Sequence, residues 1–144
     1  MERNDQVIAQ LSALRPATVL QVGEVGCGRG ARCRMWAARG HQVYGVDIDP
    51  AHIAAAREQE SGVLFDIASA CALPWPGRSM DLCLVHGALA RGPEWPARLA
   101  ELVRVLRPGG VLYLTGGHWC AQLLQSERGT LTGPRGSPIA FKRA

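Results

Sequence analysis

The chain has 144 residues, 47% of them apolar, which is enough for one domain with its own core. Its formal charge is +4, but the positive residues are scattered or gathered near the end (Arg128, Arg135, Lys142, Arg143) with no aromatics clustered among them, which argues against a nucleic-acid-binding surface. No apolar run approaches the ~20 residues that span a bilayer, and five cysteines without a CxxC pair suit free thiols in a reducing, cytoplasmic compartment.

The polar start, Met1-Glu2-Arg3-Asn4-Asp5, leads into Val7, Ile8, Leu11 and Leu14 at helical spacing. A helix is expected over 5–14, stopped by Pro16, and not a secretory leader. Thr18 to Val22 is β-branched and reads as the first strand. Gly23 is unusual directly after it, so this strand is expected to be longer or bulged. A glycine-rich turn follows, with Gly26, Gly28 and Gly30. The next helix is expected over 31–39, with Met35, Trp36 and Ala38 inward and Gly40 ending it. Gln42 to Asp47 is the second strand. Pro50 opens a helix over 50–59, where proline is tolerated.

Ser61-Gly62 turns into a third strand at 63–67. Leu73-Pro74-Trp75-Pro76-Gly77 is a rigid loop. Met80 to Val85 is a near-continuous apolar run, as in a strand buried on both faces. Residues 94–106 carry Leu99, Leu102, Val103 and Leu106 on one helical side. Arg107-Pro108-Gly109-Gly110 is a tight turn before the fifth strand, Val111 to Thr115. A helix at 118–126 and a strand at 138–142 fit the remainder, with a loop rich in Gly, Pro, Ser and Thr at 127–138. Strands alternating with helices imply an α/β domain: parallel strands with helices on both faces.

The chemistry concentrates in two places. The glycine turn lets backbone approach a ligand closely, and the helix after it offers free N–H groups. Asp47 ends the next strand about twenty residues on, where an acid takes ribose hydroxyls. Together they point to a bound nucleoside. Glu24, just before the glycines, is placed either for a ligand's ammonium or to cap N–H groups of its own loop. His86, at the end of the fourth strand, is a candidate general base or an ordinary polar strand end, the second being commoner. His118 is similar but weaker, and His41 and His52 read as helix-surface residues. Trp75, Trp95 and Trp119 lie where they could wall an apolar pocket or cover the core edge. His118 and Cys120 lack a second close pair of ligands, so no metal is expected.

Glu24-Val25-Gly26-Cys27-Gly28-Arg29-Gly30, Val43 to Pro50, Leu73-Pro74-Trp75, Met80-Asp81-Leu82 and the run Glu101 to Leu112 stand in one order. Together they resemble class I S-adenosylmethionine-dependent methyltransferases, in the small-molecule, methyltransferase type 11-like branch, over about residues 17–116. Arg104-Val105-Leu106-Arg107-Pro108-Gly109-Gly110 is the most specific part, since nicotinamide-binding domains lack it. The resemblance implies a doubly wound, mostly parallel Rossmann-like sheet in a three-layer sandwich. It implies S-adenosyl-L-methionine as cofactor and a small-molecule methyl acceptor. Glu24, Gly26, Cys27, Gly28 and Gly30 would line the methionine end, Asp47 would take the ribose hydroxyls, and Ile48 would pack on the adenine. Ser69 and Ala70 fall where the family has an acid and a small residue reading the adenine edge. Here that acid is absent, and Asp66 could substitute if the loop shifts. Val85 and His86 would approach the methyl-transfer site.

Five to six strands are expected, with the family's C-terminal hairpin reduced or absent. The expected division is a cofactor-binding core at 1–116 and a short helix with a partly flexible tail at 117–144. The fifth strand would then be an edge, protected by a homodimer or by the tail folded over it. Two other readings stay open: a cofactor-binding module without turnover, and, less favoured, a nicotinamide-dinucleotide-binding domain.

Overall fold

The computed structural model describes residues 19–86, 89–115, 122–127 and 130–132. In chain order they form β1 (Gln21–Val25), α1 (Ala31–Ala38), β2 (Gln42–Asp47), α2 (Pro50–Arg57), β3 (Leu64–Ile67), β4 (Met80–His86), α3 (Trp95–Val105), β5 (Leu106–Thr115), β6 (Gln122–Glu127) and β7 (Thr130–Thr132). One sheet contains all seven strands in the order β3-β2-β1-β4-β5-β6-β7. The first five are parallel, and β6 and β7 add antiparallel.

The order reverses between β1 and β4. The chain winds outward through β2 and β3 on one side and returns to build β4 and β5 on the other. In such sheets the crevice for a ligand opens beyond the carboxyl ends of the strands at this switch point. The glycine turn after β1 and the end of β4 both lie there.

Two apolar layers cover the sheet. On one face Val22, Val43, Leu82, Leu84, Val111 and Tyr113 meet Cys33 and Trp36 of α1 and Ile53 and Ala56 of α2. On the other, Val25, Val46, Cys83, Val85, Leu112 and Leu114 meet Trp95, Leu102 and Val105 of α3, with Leu73 and Trp75 from the loop before β4. β4 feeds both layers, which is why its sequence is apolar without alternation. In α1, Trp36 is buried and Met35 packs against the same layer as expected, whereas Ala38 is exposed and Cys33 takes the remaining inward position.

β1 pairs regularly with β2 from Gln21 to Val25 and with β4 from Val22 to Val25, so Gly23 marks no bulge. The strand is shifted toward the glycine turn. The reason for Gly23 is packing: a Cβ there would sit 2.6 and 2.7 Å from ring carbons of Trp75. The irregularity falls in β5 instead. Met80 pairs with Leu106 and Leu82 with Val111, so β5 holds three more residues than β4 across that span. Arg107 to Gly110 are thus a turn extruded within the strand, and Gly109 sits there at φ 79.

The chain end differs from expectation. The helix foreseen at 118–126 gives way to β6, whose pairing with β5 runs from Val111↔Gln125 to Leu114↔Gln122. A hairpin therefore is present in reduced form, its second strand only three residues long. The β5 edge is covered by the chain itself, so it is not free for a homodimer. The helix expected at 5–14 and the strand expected at 138–142 lie outside the described residues, as do His118, Trp119 and Cys120.

Two buried-side ionic clusters hold the frame. Asp81, 4% exposed, accepts from the Gln21 N–H (2.8 Å) and pairs with Arg107 at 3.2 Å. Glu101 accepts the Leu73 N–H (2.8 Å), and Arg104 donates to the Leu73 and Trp75 carbonyls at 3.1 and 3.0 Å. Glu101 and Arg104 also bond each other, and that contact outweighs the burial cost to hold the Glu101 carboxyl below the usual range. The specific-looking run 101–112 is therefore largely architectural: its charges fasten the Leu-Pro-Trp loop and the start of β4.

Candidate functional site

β1 ends under the glycine turn, and the turn is tied to β2 next door. The Gly26 and Cys27 N–H groups both donate to the Val46 carbonyl, at 2.8 and 3.0 Å. Gly26, Gly28 and Gly30 have φ of 77, 56 and 81, a left-handed backbone that side chains disfavour. At Gly28 a Cβ would meet nothing within 4 Å, so the crest of the turn faces open space. At Gly30 crowding adds to the backbone requirement and at Gly45 it stands alone, because the Phe65 ring occupies the space a Cβ would need at both.

Asp47 follows Val46 directly. Its Oδ2 accepts the Gly28 N–H at 2.9 Å and its Oδ1 accepts the Asp49 N–H at 2.9 Å. The carboxylate and the glycine turn thus border one crevice. Burial alone would raise the Asp47 pKa, but the two backbone N–H groups and His52, whose Nδ1 lies 3.5 Å from Oδ1, hold it below the usual range. Asp47 is an ionised acceptor with lone pairs to spare. Ile48 beside it is 71% exposed, an apolar face with no protein cover.

Glu24 is buried, 6% exposed, on the face toward α1. It caps no N–H of its own loop. Its Oε2 accepts the Cys33 thiol (3.3 Å), and the Arg32 guanidinium stands 3.9 Å from Oε1. Burial pushes the Glu24 pKa up from 4.5 to about 7, against the pull of Arg32 and Cys33. A carboxyl in that state is a sensitive receptor for a further positive charge.

The other named residues are distributed as follows. Cys27 is buried with its side chain among the α1–α2 layer, so only its backbone borders the turn. Val85 is buried and pairs with Val25 and Leu114, and His86 is exposed beside Thr115. Ser69 bonds its own loop, accepting the Cys71 N–H on Oγ at 3.1 Å, and Ala70 packs against the α3 layer. Asp66 lies within β3 with its carboxylate 3.7 Å from Arg57. Trp75 and Trp95 are core residues, 6% and 8% exposed. No group of three or more His, Cys, Asp or Glu arranged for a metal exists among the described residues.

Two features of the site were not legible beforehand. Leu89, after β4, brings Cδ1 to 3.0 Å from where a Gly26 Cβ would sit, so it walls the first glycine. Arg98 of α3 holds that loop by donating to the Leu89 carbonyl at 3.0 Å. The second is His52, set between Asp47 and Asp49.

A family model described as a methyltransferase domain matches residues 23–114. The chain belongs to this methyltransferase family. It is 36% identical to a malonyl-[acyl-carrier protein] O-methyltransferase from Serratia marcescens over 92 residues, 64% of this chain and 36% of that protein. The same enzyme from Pectobacterium atrosepticum is 36% identical over 104 residues, 72% and 41% of the two chains. The chain therefore spans about two fifths of the curated relatives it matches. Among solved structures, the PH0226 protein from Pyrococcus horikoshii superposes with TM-score 0.65 at 26% identity, over 78% of this chain and 57% of that one. Phosphoethanolamine N-methyltransferase 2 from Haemonchus contortus, solved in complex with S-adenosyl-L-methionine, gives 0.63 at 25% identity, over 76% and 27%. No helix among the described residues is long and apolar enough to cross a membrane.

Proposed function

We propose that the chain binds S-adenosyl-L-methionine in the crevice beyond β1, β2 and β4 and directs its methyl group to a small-molecule acceptor. The observation that supports this reading is the bond from the Gly28 N–H to the Asp47 carboxylate, which sets an ionised acid against an open glycine turn. The residues fit the cofactor's parts. Asp47 offers oxygens to the ribose hydroxyls, Ile48 an exposed apolar face to the base, and Gly28 an open point on the crest of the turn. Glu24 is a near-neutral acid that a cationic ligand would draw into its charged form. Leu89 and the end of β4 at Val85 and His86 would border the methyl side, with His86 as the candidate base. Ser69 and Ala70 would meet the adenine edge without a carboxylate.

The bound cofactor supplies an electrophilic methyl on a sulfonium. The chain's own part is alignment, which can supply roughly 7–11 kcal/mol without a catalytic side chain. The names of the matched relatives suggest an acceptor hydroxyl or carboxyl oxygen. A second reading, a module that holds the cofactor without turnover, draws support from Trp75 and Trp95, which fill the core and leave no aromatic wall for an acceptor among the described residues.

The experiment is ligand-dependent melting followed by a radiolabelled methyl-transfer assay on a metabolite extract. S-adenosylmethionine or its demethylated product should raise the melting temperature while NAD does not. No shift with either methyl-cycle ligand removes both readings. A shift without label transfer selects the second.

A further inference from the structure

His52 stands on the first turn of α2, and its two ring nitrogens face two different carboxylates. Nδ1 is 3.5 Å from Asp47 Oδ1, and Nε2 is 3.6 Å from Asp49 Oδ2. Both acids are already committed elsewhere. Asp47 accepts from Gly28 and from the Asp49 N–H, and Asp49 caps α2 by accepting the Ala51 N–H at 2.9 Å. The result is a continuous chain of polar contacts from the crest of the glycine turn, through Asp47, to the N-terminus of α2.

We propose that His52 is a positioning residue for Asp47, fixing the carboxylate's orientation so that its free lone pairs face the ribose hydroxyls; this rests on the reading of Asp47 as the ribose acceptor. A carboxylate on a strand end has one free rotation about its terminal bond. The two N–H groups on opposite oxygens restrain that rotation, and the imidazole adds a third contact on the side away from Gly28. It also spaces two acids, Asp47 and Asp49, that would otherwise repel across two residues. The ring's half-exposed setting keeps it at the surface end of this network, so its removal should leave the core intact.

The test uses His52→Ala and His52→Asn, the second keeping an amide N–H near the Nδ1 position. Two measurements are made on each: the titration of the Asp47 carboxyl carbon by NMR without ligand, and the Kd for S-adenosylhomocysteine by calorimetry. In His52→Ala the Asp47 midpoint should rise and the Kd should weaken about two- to five-fold, the size of a partly exposed ion pair. His52→Asn should recover part of both. An unmoved midpoint in His52→Ala, or a moved midpoint with an unchanged Kd, overturns the proposal. If the unaltered protein binds no S-adenosylhomocysteine, the cofactor reading fails and this proposal falls with it, whereas an unmoved midpoint or Kd in His52→Ala beside normal binding by the unaltered protein overturns this proposal alone.

Discussion

Glu24→Gln is the most discriminating single substitution. The Glu24 carboxyl is buried with one thiol donor and one guanidinium at ion-pair distance, too little to solvate a full charge. Its pKa in the folded protein is pushed up from 4.5 to about 7. The folded state therefore holds this proton more tightly than the unfolded chain does. The stabilisation is fully present below pH 4.5 and is lost as pH rises through about 7. At about 1.4 kcal/mol per unit, ionisation costs on the order of 3 kcal/mol once the pH is above that range. Glutamine is isosteric with the protonated acid and still accepts the Cys33 thiol. Urea denaturation at pH 5, 6, 7 and 8 should show the glutamine variant's relative stability growing by about 2–3 kcal/mol between pH 5 and pH 8. His41 acts in the opposite sense. Burial and Arg39 keep its pKa below 6.5, so its neutral form, which accepts the Leu20 N–H at 3.1 Å, stabilises above pH 6.5 and loses that contribution on acidification. Only the difference between the two proteins isolates Glu24. An equal gap at pH 5 and pH 8 would refute the argument that Glu24 is buried as a neutral acid.

The same acid links binding to protons. If Glu24 receives the cofactor's positive charge, binding near pH 7 should release up to about half a proton, visible as a calorimetric enthalpy that depends on the buffer, and Glu24→Gln should abolish that dependence. Replacing Asp47 by Ala should weaken cofactor binding by ~1–3 kcal/mol, and an unaltered Kd would make its contacts to Gly28 and Asp49 purely structural. Gly23→Ala drives a methyl group into the Trp75 ring and should cost roughly 1–3 kcal/mol in urea denaturation. Glu101→Ala removes the acceptor of the Leu73 N–H and should accelerate hydrogen exchange there, with a loss of about 1–3 kcal/mol; unchanged protection at Leu73 would contradict the clamp.

The parallel core was legible because its signals are local. The apolar run of β4, the glycine turn and the proline at the start of α2 each state a backbone conformation within a few residues, and the structure places all three as expected. What misled was information carried between distant residues. Gly23 looked like a strand irregularity because the reason for it, the Trp75 ring, is fifty-two positions away in sequence. The segment at 118–126 reads as helix on its own. Strand β6 arises because β5 offers unpaired backbone groups to whatever follows, and pairing with them outweighs local preference. Nothing local to Arg104 and Arg107 announces their partners, yet one fastens two carbonyls of the Leu-Pro-Trp loop and the other meets a buried acid.

The site shows the same division. Asp47 and the glycines could be named from spacing alone, because a strand end and a turn fix where a carboxylate and an N–H will point. The residues that set the carboxylate's behaviour could not. His52 follows Asp47 by five positions, and nothing in that spacing distinguishes a surface imidazole from one set between two acids; the turn from β2 into α2 decides it. Glu24 could be assigned a partner only once α1 was seen to bring Cys33 and Arg32 over it. Its neutral tendency is a property of that cover, since an acid at the same place beside solvent would stay ionised. The sequence therefore names candidate ligand-facing groups, whereas the packing of α1 and α2 against β1 and β2 decides their charge and orientation. Substitutions at His52 and Glu24 are the direct way to separate those two contributions.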